Sequence, residues 1–244
     1  MEVTRTGYVT LVGRPNAGKS TLLNQLVGEH LSIVTPKAQT TWQRVTGILS
    51  VGTDQMIFLD TPGLLEAKDM LQRAMLGAAL EALAEADITI LLIDSTTKPD
   101  SREAASTIEA LRETNAPLHI ALNKVDIVDE EAIRAWEAWA DRELSGSVYK
   151  LSSLTGEGVD ALLEGLRADL PVGPFLYPEE DIASDPVRFF VAELVRETIF
   201  ELYHQEIPYS TFCHVEEFRE NQDPVYVRVQ IFVERESQKG ILIG

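Results

Sequence analysis

The stretch LVGRPNAGKSTLL, Leu11–Leu23, decides how the rest of this chain is read. Gly13 and Gly18 bracket four residues, and Lys19 and Ser20 follow at once. A β-rich run, Tyr8–Val12, leads in, and Ser20–Val27 reads as a helix that stops at Gly28. Strand, glycine-rich turn and helix together gather backbone N–H groups around an anion. The glycines let the backbone turn inward, and the helix N-terminus adds its dipole. The spacing therefore predicts a phosphate loop built from Gly13, Arg14, Pro15, Asn16, Ala17, Gly18, Lys19, Ser20 and Thr21. In such a loop the lysine reaches the β and γ phosphates and the Ser20 hydroxyl ligates Mg²⁺. The competing reading is a turn that binds nothing, and the flanking strand and helix weigh against it.

Downstream, strand-like and helix-like segments alternate to about residue 170. Val45–Val51 and Gln55–Asp60 are separated by three residues, which dictates an antiparallel hairpin. Ile88–Asp94, Leu118–Asn123 and Ser147–Leu151 are separated by helical stretches, which dictates parallel strands. The fold class is α/β: a mostly parallel six-stranded sheet with one antiparallel edge pair and helices on both faces.

Two strand ends carry further chemistry. Asp60-Thr61-Pro62-Gly63 offers a carboxylate to hold Mg²⁺ through water and a Gly63 N–H to meet a γ-phosphate, an arrangement that switches when the phosphate leaves. Alone, those four residues are a turn; after a phosphate loop they read as a site. Asn123-Lys124-Val125-Asp126 ends another strand, where ligands of such sheets bind. A carboxylate accepts two parallel hydrogen bonds. Guanine offers two adjacent donors to it and adenine does not, so Asp126 implies GTP rather than ATP. The Lys124 stem can cover the base plane. Ser152 and Ser153 follow the last strand and offer backbone N–H groups to the guanine carbonyl, a weak signal by itself.

Composition bounds the rest. The formal charge of −18 argues against binding nucleic acid over the whole surface, so any RNA contact is local. The one cysteine, Cys213, has no intrachain partner, which fits a reducing compartment and speaks against a structural zinc. No apolar run reaches the roughly 18 residues a membrane helix needs, and no secretory pattern opens the chain. Pro171–Pro186, rich in proline and acid, reads as a linker. Beyond it, Val187–Leu202 has helical spacing, and Thr211–Phe218 and Val225–Glu234 read as strands. Val225, Val227, Val229, Ile231 and Val233 share one face of the last strand, which the helix is expected to shield only in part.

The four motifs in this order resemble the translation-factor-like class of small GTPases over about residues 8–170. Within that class GRPNAGKS, KAQTTWQRVTGI, DTPGL, NKVD and the later EIPYS are similar to the Era family of bacterial ribosome-assembly GTPases. The helix, the two strands and ERESQKGILIG resemble the start of that family's C-terminal RNA-binding KH domain, of type II. The resemblance implies a G domain at 1–170, a linker at 171–186 and the N-terminal part of a KH domain at 187–244. It implies a slow GTP-hydrolysing switch that couples nucleotide state to 16S rRNA and to assembly of the 30S subunit. The location implied is cytoplasmic, with peripheral inner-membrane association in some members, and a monomer is expected.

Residue by residue, the resemblance places switch I at Thr35–Arg44, with Thr40 and Thr41 both open as Mg²⁺ ligands. The position that holds a water-orienting glutamine in many GTPases is Leu64 here, as in the family. The family's phosphate-loop asparagine, matched by Asn16, is associated with a K⁺ ion that supplies positive charge in the transition state. The catalytic set implied is thus Lys19, Thr40, Thr41, Gly63 and Asn16. Three positions depart from the pattern. Trp42 stands where a basic residue is usual, and Ser153 replaces an alanine. Gly244 aligns with the first glycine of the KH Gly-x-x-Gly loop, so the RNA-binding unit reads as incomplete and RNA binding as severely weakened. The alternatives are a tRNA-modification-type relative, a nucleotide-binding scaffold without significant turnover, and an ATPase.

Overall fold

The computed structural model describes residues 3–35, 37, 40–41, 44–63, 70–101 and 104–243. Trp42, Leu64 and Gly244, singled out above, lie outside them. In chain order the first part comprises β1 (Arg5–Gly13), α1 (Lys19–Val27), β2 (Val45–Val51), β3 (Asp54–Asp60), α2 (Met70–Glu85), β4 (Ile88–Asp94), α3 (Ala105–Glu113), β5 (Leu118–Asn123), α4 (Glu130–Glu143), β6 (Ser147–Lys150) and α5 (Val159–Asp169). The six strands form one sheet in the order β2-β3-β1-β4-β5-β6, antiparallel only between β2 and β3. This is the α/β sheet that the strand spacing predicts.

Alternation along β1 shows why both faces need helices. The Thr10 hydroxyl donates to the Ala82 carbonyl of α2 at 2.9 Å, and Val12 joins the cluster that α2, α3 and α4 build with β4 and β5. Val9 and Leu11 point the other way and are fully buried as well. Trp136 and Trp139 of α4 pack edge to face in that cluster and donate to the Thr97 carbonyl and the Ser101 hydroxyl, at 2.8 and 3.0 Å. They tie down the loop after β4.

At the start of β3, Asp54 is fully buried between two arginines. Arg5 reaches its two oxygens at 2.9 and 3.0 Å, and Arg167 of α5 adds a third bond at 2.8 Å. The carboxylate joins strand to helix. Asp54→Ala is expected to cost about 2 kcal/mol, because charge-assisted bonds are lost while both arginines keep water access. Thermal melts followed by tryptophan fluorescence read this as a lower Tm; an unchanged Tm contradicts it.

The chain divides into two compact units, residues 1–32 with 38–184, and residues 33–37 with 185–244. The stretch read as a linker packs along the first unit up to Ser184. Gln55 accepts from the N–H groups of Leu176 and Tyr177 at 2.8 and 3.0 Å and donates to the Tyr177 carbonyl at 2.9 Å. The Ile48 N–H donates to the Ile182 carbonyl at 2.8 Å, which adds a bridge to the outer edge of β2.

The second unit holds α6 (Val187–Leu202), β7 (Thr211–Arg219), β8 (Tyr226–Val233) and α7 (Glu236–Ile243). β7 and β8 pair antiparallel, with a bulge between Val215 and Glu217. Ala192 and Ile199 of α6 pack with Cys213 and Val215, and Val227 and Val229 close on that cluster. The helix thus shields the middle of the valine face, while Val225 and Ile231 stay exposed. Burial pushes the Cys213 thiol up to about 11, so it is a packing residue rather than a nucleophile.

Candidate functional site

Parallel pairing sets the ends of β1, β3, β4 and β5 along one edge of the sheet: Leu11 lies opposite Asp60, Gly13 opposite Leu92, and Asp94 opposite Asn123. The phosphate loop springs from the centre of that edge. Gly13 and Gly18 have φ of 153° and 100°, and Asn16 is left-handed at 61°. A Cβ on Gly18 would lie 2.4 Å from the Asn123 amide nitrogen, so only glycine fits there. α1 begins at Lys19 with no side-chain cap, which leaves its first-turn N–H groups directed at the loop. Ala17 is buried, Pro15 is half-buried, and Arg14 and Asn16 form the exposed rim. Thr21 sits in the first turn of α1, half-buried.

Lys19 is buried, and its ammonium donates to the carbonyls of Gly13 and Arg14 at 3.2 and 3.1 Å. Burial pushes its pKa down, and the nearby Asp60 carboxylate pulls it back up. Asp60 is equally buried. Burial pushes its carboxyl up against the opposing pull of Lys19, Ser20, Ser32 and Thr41. The Ser20 hydroxyl donates to Asp60 Oδ2 at 2.7 Å, and Thr41 Oγ1 lies 3.1 Å from Ser20 Oγ. Thr40 is half-buried beside it. Asp60 Oδ1 has no hydrogen-bond partner among the described residues. Three hard oxygen groups around a carboxylate with a free buried oxygen suit Mg²⁺.

Thr61 and Gly63 are held against the phosphate loop. The Thr61 hydroxyl donates to the Leu11 carbonyl at 2.7 Å, Pro62 is buried, and a Cβ on Gly63 would come within 2.7 Å of Pro15. The Asp-Thr-Pro-Gly segment therefore lies directly over the loop.

At the other side of the site, Asn123 acts as a strut. Its amide donates to the Ala17 carbonyl at 2.7 Å and accepts from the N–H and hydroxyl of Ser153, at 2.8 and 3.0 Å. One side chain thus ties the phosphate loop to the loop after β6. There the Ser152 hydroxyl accepts from the Thr155 N–H at 3.2 Å and closes the turn. Lys124 is left-handed, and its ammonium meets Asp94 at 2.6 Å, which stretches the stem across the site edge. Burial pushes the Asp94 carboxyl up, but bonds from Lys124 and Thr96 outweigh it and hold the carboxyl below its ordinary value. Asp126 lies in the following 3₁₀ turn, Val125–Ile127, and is exposed.

Two groups escaped the sequence reading. Asp94 ends β4 just as Asp60 and Asn123 end their strands, a positional signal that was available. Ser32, in an apolar stretch after α1, gave none.

The sequence profile of the 50S ribosome-binding GTPase family matches residues 8–124. GTPase Era of Geobacter metallireducens is 40% identical over 243 residues, covering 98% of this chain and 81% of the relative. GTPase Era of Mesorhizobium japonicum is 42% identical, covering 99% and 78%. Among solved structures, an Aquifex aeolicus Era variant bound to GDP and aluminium fluoride is 35% identical, covers 99% of this chain and 83% of its own, and has a TM-score of 0.91. An Era complex with MgGDPNP and nucleotides 1506–1542 of 16S rRNA matches with the same TM-score, identity and coverage.

Proposed function

Because the chain belongs to the Era family of GTPases, we propose that its GTP hydrolysis serves as a switch for binding small-subunit rRNA during 30S assembly. The observation that supports this reading is the match, over 99% of the chain, to an Era structure holding 16S rRNA nucleotides together with a GTP analogue. The 50S-type profile covers only the nucleotide-binding part and carries no information about which RNA is bound.

The nucleotide roles follow from the chemistry of the side chains. The loop from Gly13 to Thr21 cradles the phosphates, with Lys19 on the β and γ oxygens. Mg²⁺, when bound, neutralises phosphate charge; Ser20 and Thr41 are its side-chain ligands and Asp60 holds it through water. Of the two switch threonines, Thr41 is assigned over Thr40 on its distance to Ser20. Gly63 offers its N–H to the γ-phosphate, and Thr61 and Pro62 fix its position. Asp126 pairs with the guanine edge, Lys124 covers its face, and Asn123, Ser152 and Ser153 build the loop behind it. Residues 1–170 act as the G domain, 171–186 as the connection, and 187–244 as the helix-strand-strand part of a type II KH domain.

No helix among the described residues is long and apolar enough to cross a membrane. A cytoplasmic monomer is the state proposed.

The K⁺ association inferred for Asn16 predicts severalfold faster GTP turnover in K⁺ than in Na⁺ at equal ionic strength. Equal phosphate release in the two salts removes K⁺ from the mechanism. The switch itself is tested by titrating a fluorescent RNA carrying the 3′ end of small-subunit rRNA with this chain, loaded with GDPNP or with GDP. The reading expects tighter binding with GDPNP, whatever the absolute affinity. Identical affinities in both states refute it.

A further inference from the structure

We propose that Asp94 is a positioning residue of the base pocket, which holds the Lys124 stem in place before a guanine nucleotide arrives. The inference rests on the guanine-nucleotide reading of the site and deepens it: Asp94 contributes to nucleotide affinity through Lys124, without touching the nucleotide.

The first observation is how one carboxylate divides its two oxygens. Asp94 Oδ1 accepts from the Thr96 N–H and the Thr96 hydroxyl, at 3.0 and 2.6 Å. The N–H bond closes an Asx turn, and the pair of bonds fixes the orientation of the carboxylate. Asp94 Oδ2 accepts from the Lys124 ammonium at 2.6 Å. The two side chains are 19% and 30% exposed, so water screens this ion pair only in part. The aspartate cannot swing to follow the lysine; the lysine is drawn to a fixed point.

The second observation is that the scaffold holds both residues at the edge where the base is read. Asp94 lies opposite Asn123 where β4 pairs with β5, and the Ser95 N–H donates to the Asn123 carbonyl at 3.1 Å. The Thr97 N–H and hydroxyl donate to the Asp94 carbonyl at 3.2 and 2.8 Å, and Trp136 of α4 donates to the Thr97 carbonyl at 2.8 Å. The turn after β4 is thus closed on itself and tied to a helix. Lys124 has φ of 67°, a left-handed backbone that few residues other than glycine adopt. The lysine is therefore held at both ends, its backbone by that turn and its ammonium by Asp94, with the apolar stem between. A free lysine stem samples many rotamers, and ordering it against a base costs affinity. The ion pair places that ordering in the free protein. The β4–β5 ladder already joins the two strands, so the fold itself has little need of the pair.

The test measures GDP binding to the whole chain by titration calorimetry in saturating Mg²⁺, for the parent, Asp94→Asn, Lys124→Ala and the double variant. Asparagine keeps an oxygen for Thr96 and turns an uncharged amide toward Lys124, so the turn after β4 is retained. Asp94→Asn is expected to weaken GDP about tenfold. In the Lys124→Ala background the same substitution leaves the affinity unchanged, because no stem remains to be held. The ratio of GDP to inosine diphosphate affinity stays at the parent value in Asp94→Asn, since hypoxanthine lacks only the exocyclic amine, on the edge assigned to Asp126. Unchanged GDP affinity in Asp94→Asn, an equal loss with and without Lys124, or a ratio that moves, overturns the proposal and leaves Asp94 a structural residue of the turn. Failure of the parent chain to bind GDP overturns the nucleotide reading as well.

Discussion

Lys19→Ala is expected to lower GTP turnover about 10²–10³-fold while the protein stays folded. The rate term follows from the loss of a positive group aimed at the transferring phosphoryl oxygens, which removes stabilisation made mostly in the transition state. The stability term has the opposite cause. Lys19 is buried, with burial opposing its charge and the Asp60 carboxylate favouring it, and among the described residues its ammonium donates to the Gly13 and Arg14 carbonyls of the loop itself. Removing a buried ammonium relieves a desolvation cost that roughly offsets those two bonds, so melting should stay within about 1 kcal/mol of the parent. Single-turnover phosphate release and a thermal melt on the same preparation separate the two. A large drop in Tm together with the rate loss would make Lys19 a structural residue.

Asp126→Asn is expected to weaken GTP at least about 10²-fold. Two charge-assisted hydrogen bonds to guanine are at stake, each worth about 1.5–3 kcal/mol, and 1.4 kcal/mol is tenfold in affinity. An asparagine offers one acceptor and one donor. That pattern suits xanthine, which carries a carbonyl where guanine carries its exocyclic amine. The variant should therefore gain xanthosine triphosphate as it loses GTP, measured by competition against a labelled nucleotide. Equal loss of both would mean that the mutation disordered the 3₁₀ turn rather than changed a recognition edge. Asp126 is exposed and Asn123 carries the bonds that brace the neighbouring loops, so the turn should survive.

The roles proposed for those two residues were legible in the sequence because phosphate-loop and guanine motifs are set by local spacing. The glycines of the phosphate loop, the aspartate that ends β3 and the Asn-Lys-x-Asp that ends β5 each announce themselves within a few residues. Strand direction followed equally directly, since a three-residue gap forbids a crossover and a helical stretch demands one, whereas the order of the strands in the sheet came from the structure. What stayed hidden depends on contacts between distant positions. Residues 171–184 look like free linker by composition, yet one buried glutamine, Gln55, binds their backbone to the sheet. Asp54 reads as a turn residue after Gly52, but it is the fully buried partner of Arg5 and Arg167, which lie in β1 and α5. Ser32 belongs to an apolar stretch, and the clasp from Asn24 that ties its backbone to α1 spans eight residues of sequence without a motif to announce it. α7 was also hidden, because Glu236–Ile243 shows too little amphipathic pattern over its eight residues to signal a helix.

The central claim is that one site, built on the edge where β1, β3 and β5 end, hydrolyses GTP and discriminates against ATP. Phosphate release by the purified chain in Mg²⁺ and K⁺, with GTP and with ATP at equal concentration, tests it most directly. The account predicts slow release from GTP that Lys19→Ala lowers about 10²–10³-fold, and release from ATP no faster than buffer. Comparable release from both nucleotides, or none from GTP, would contradict it.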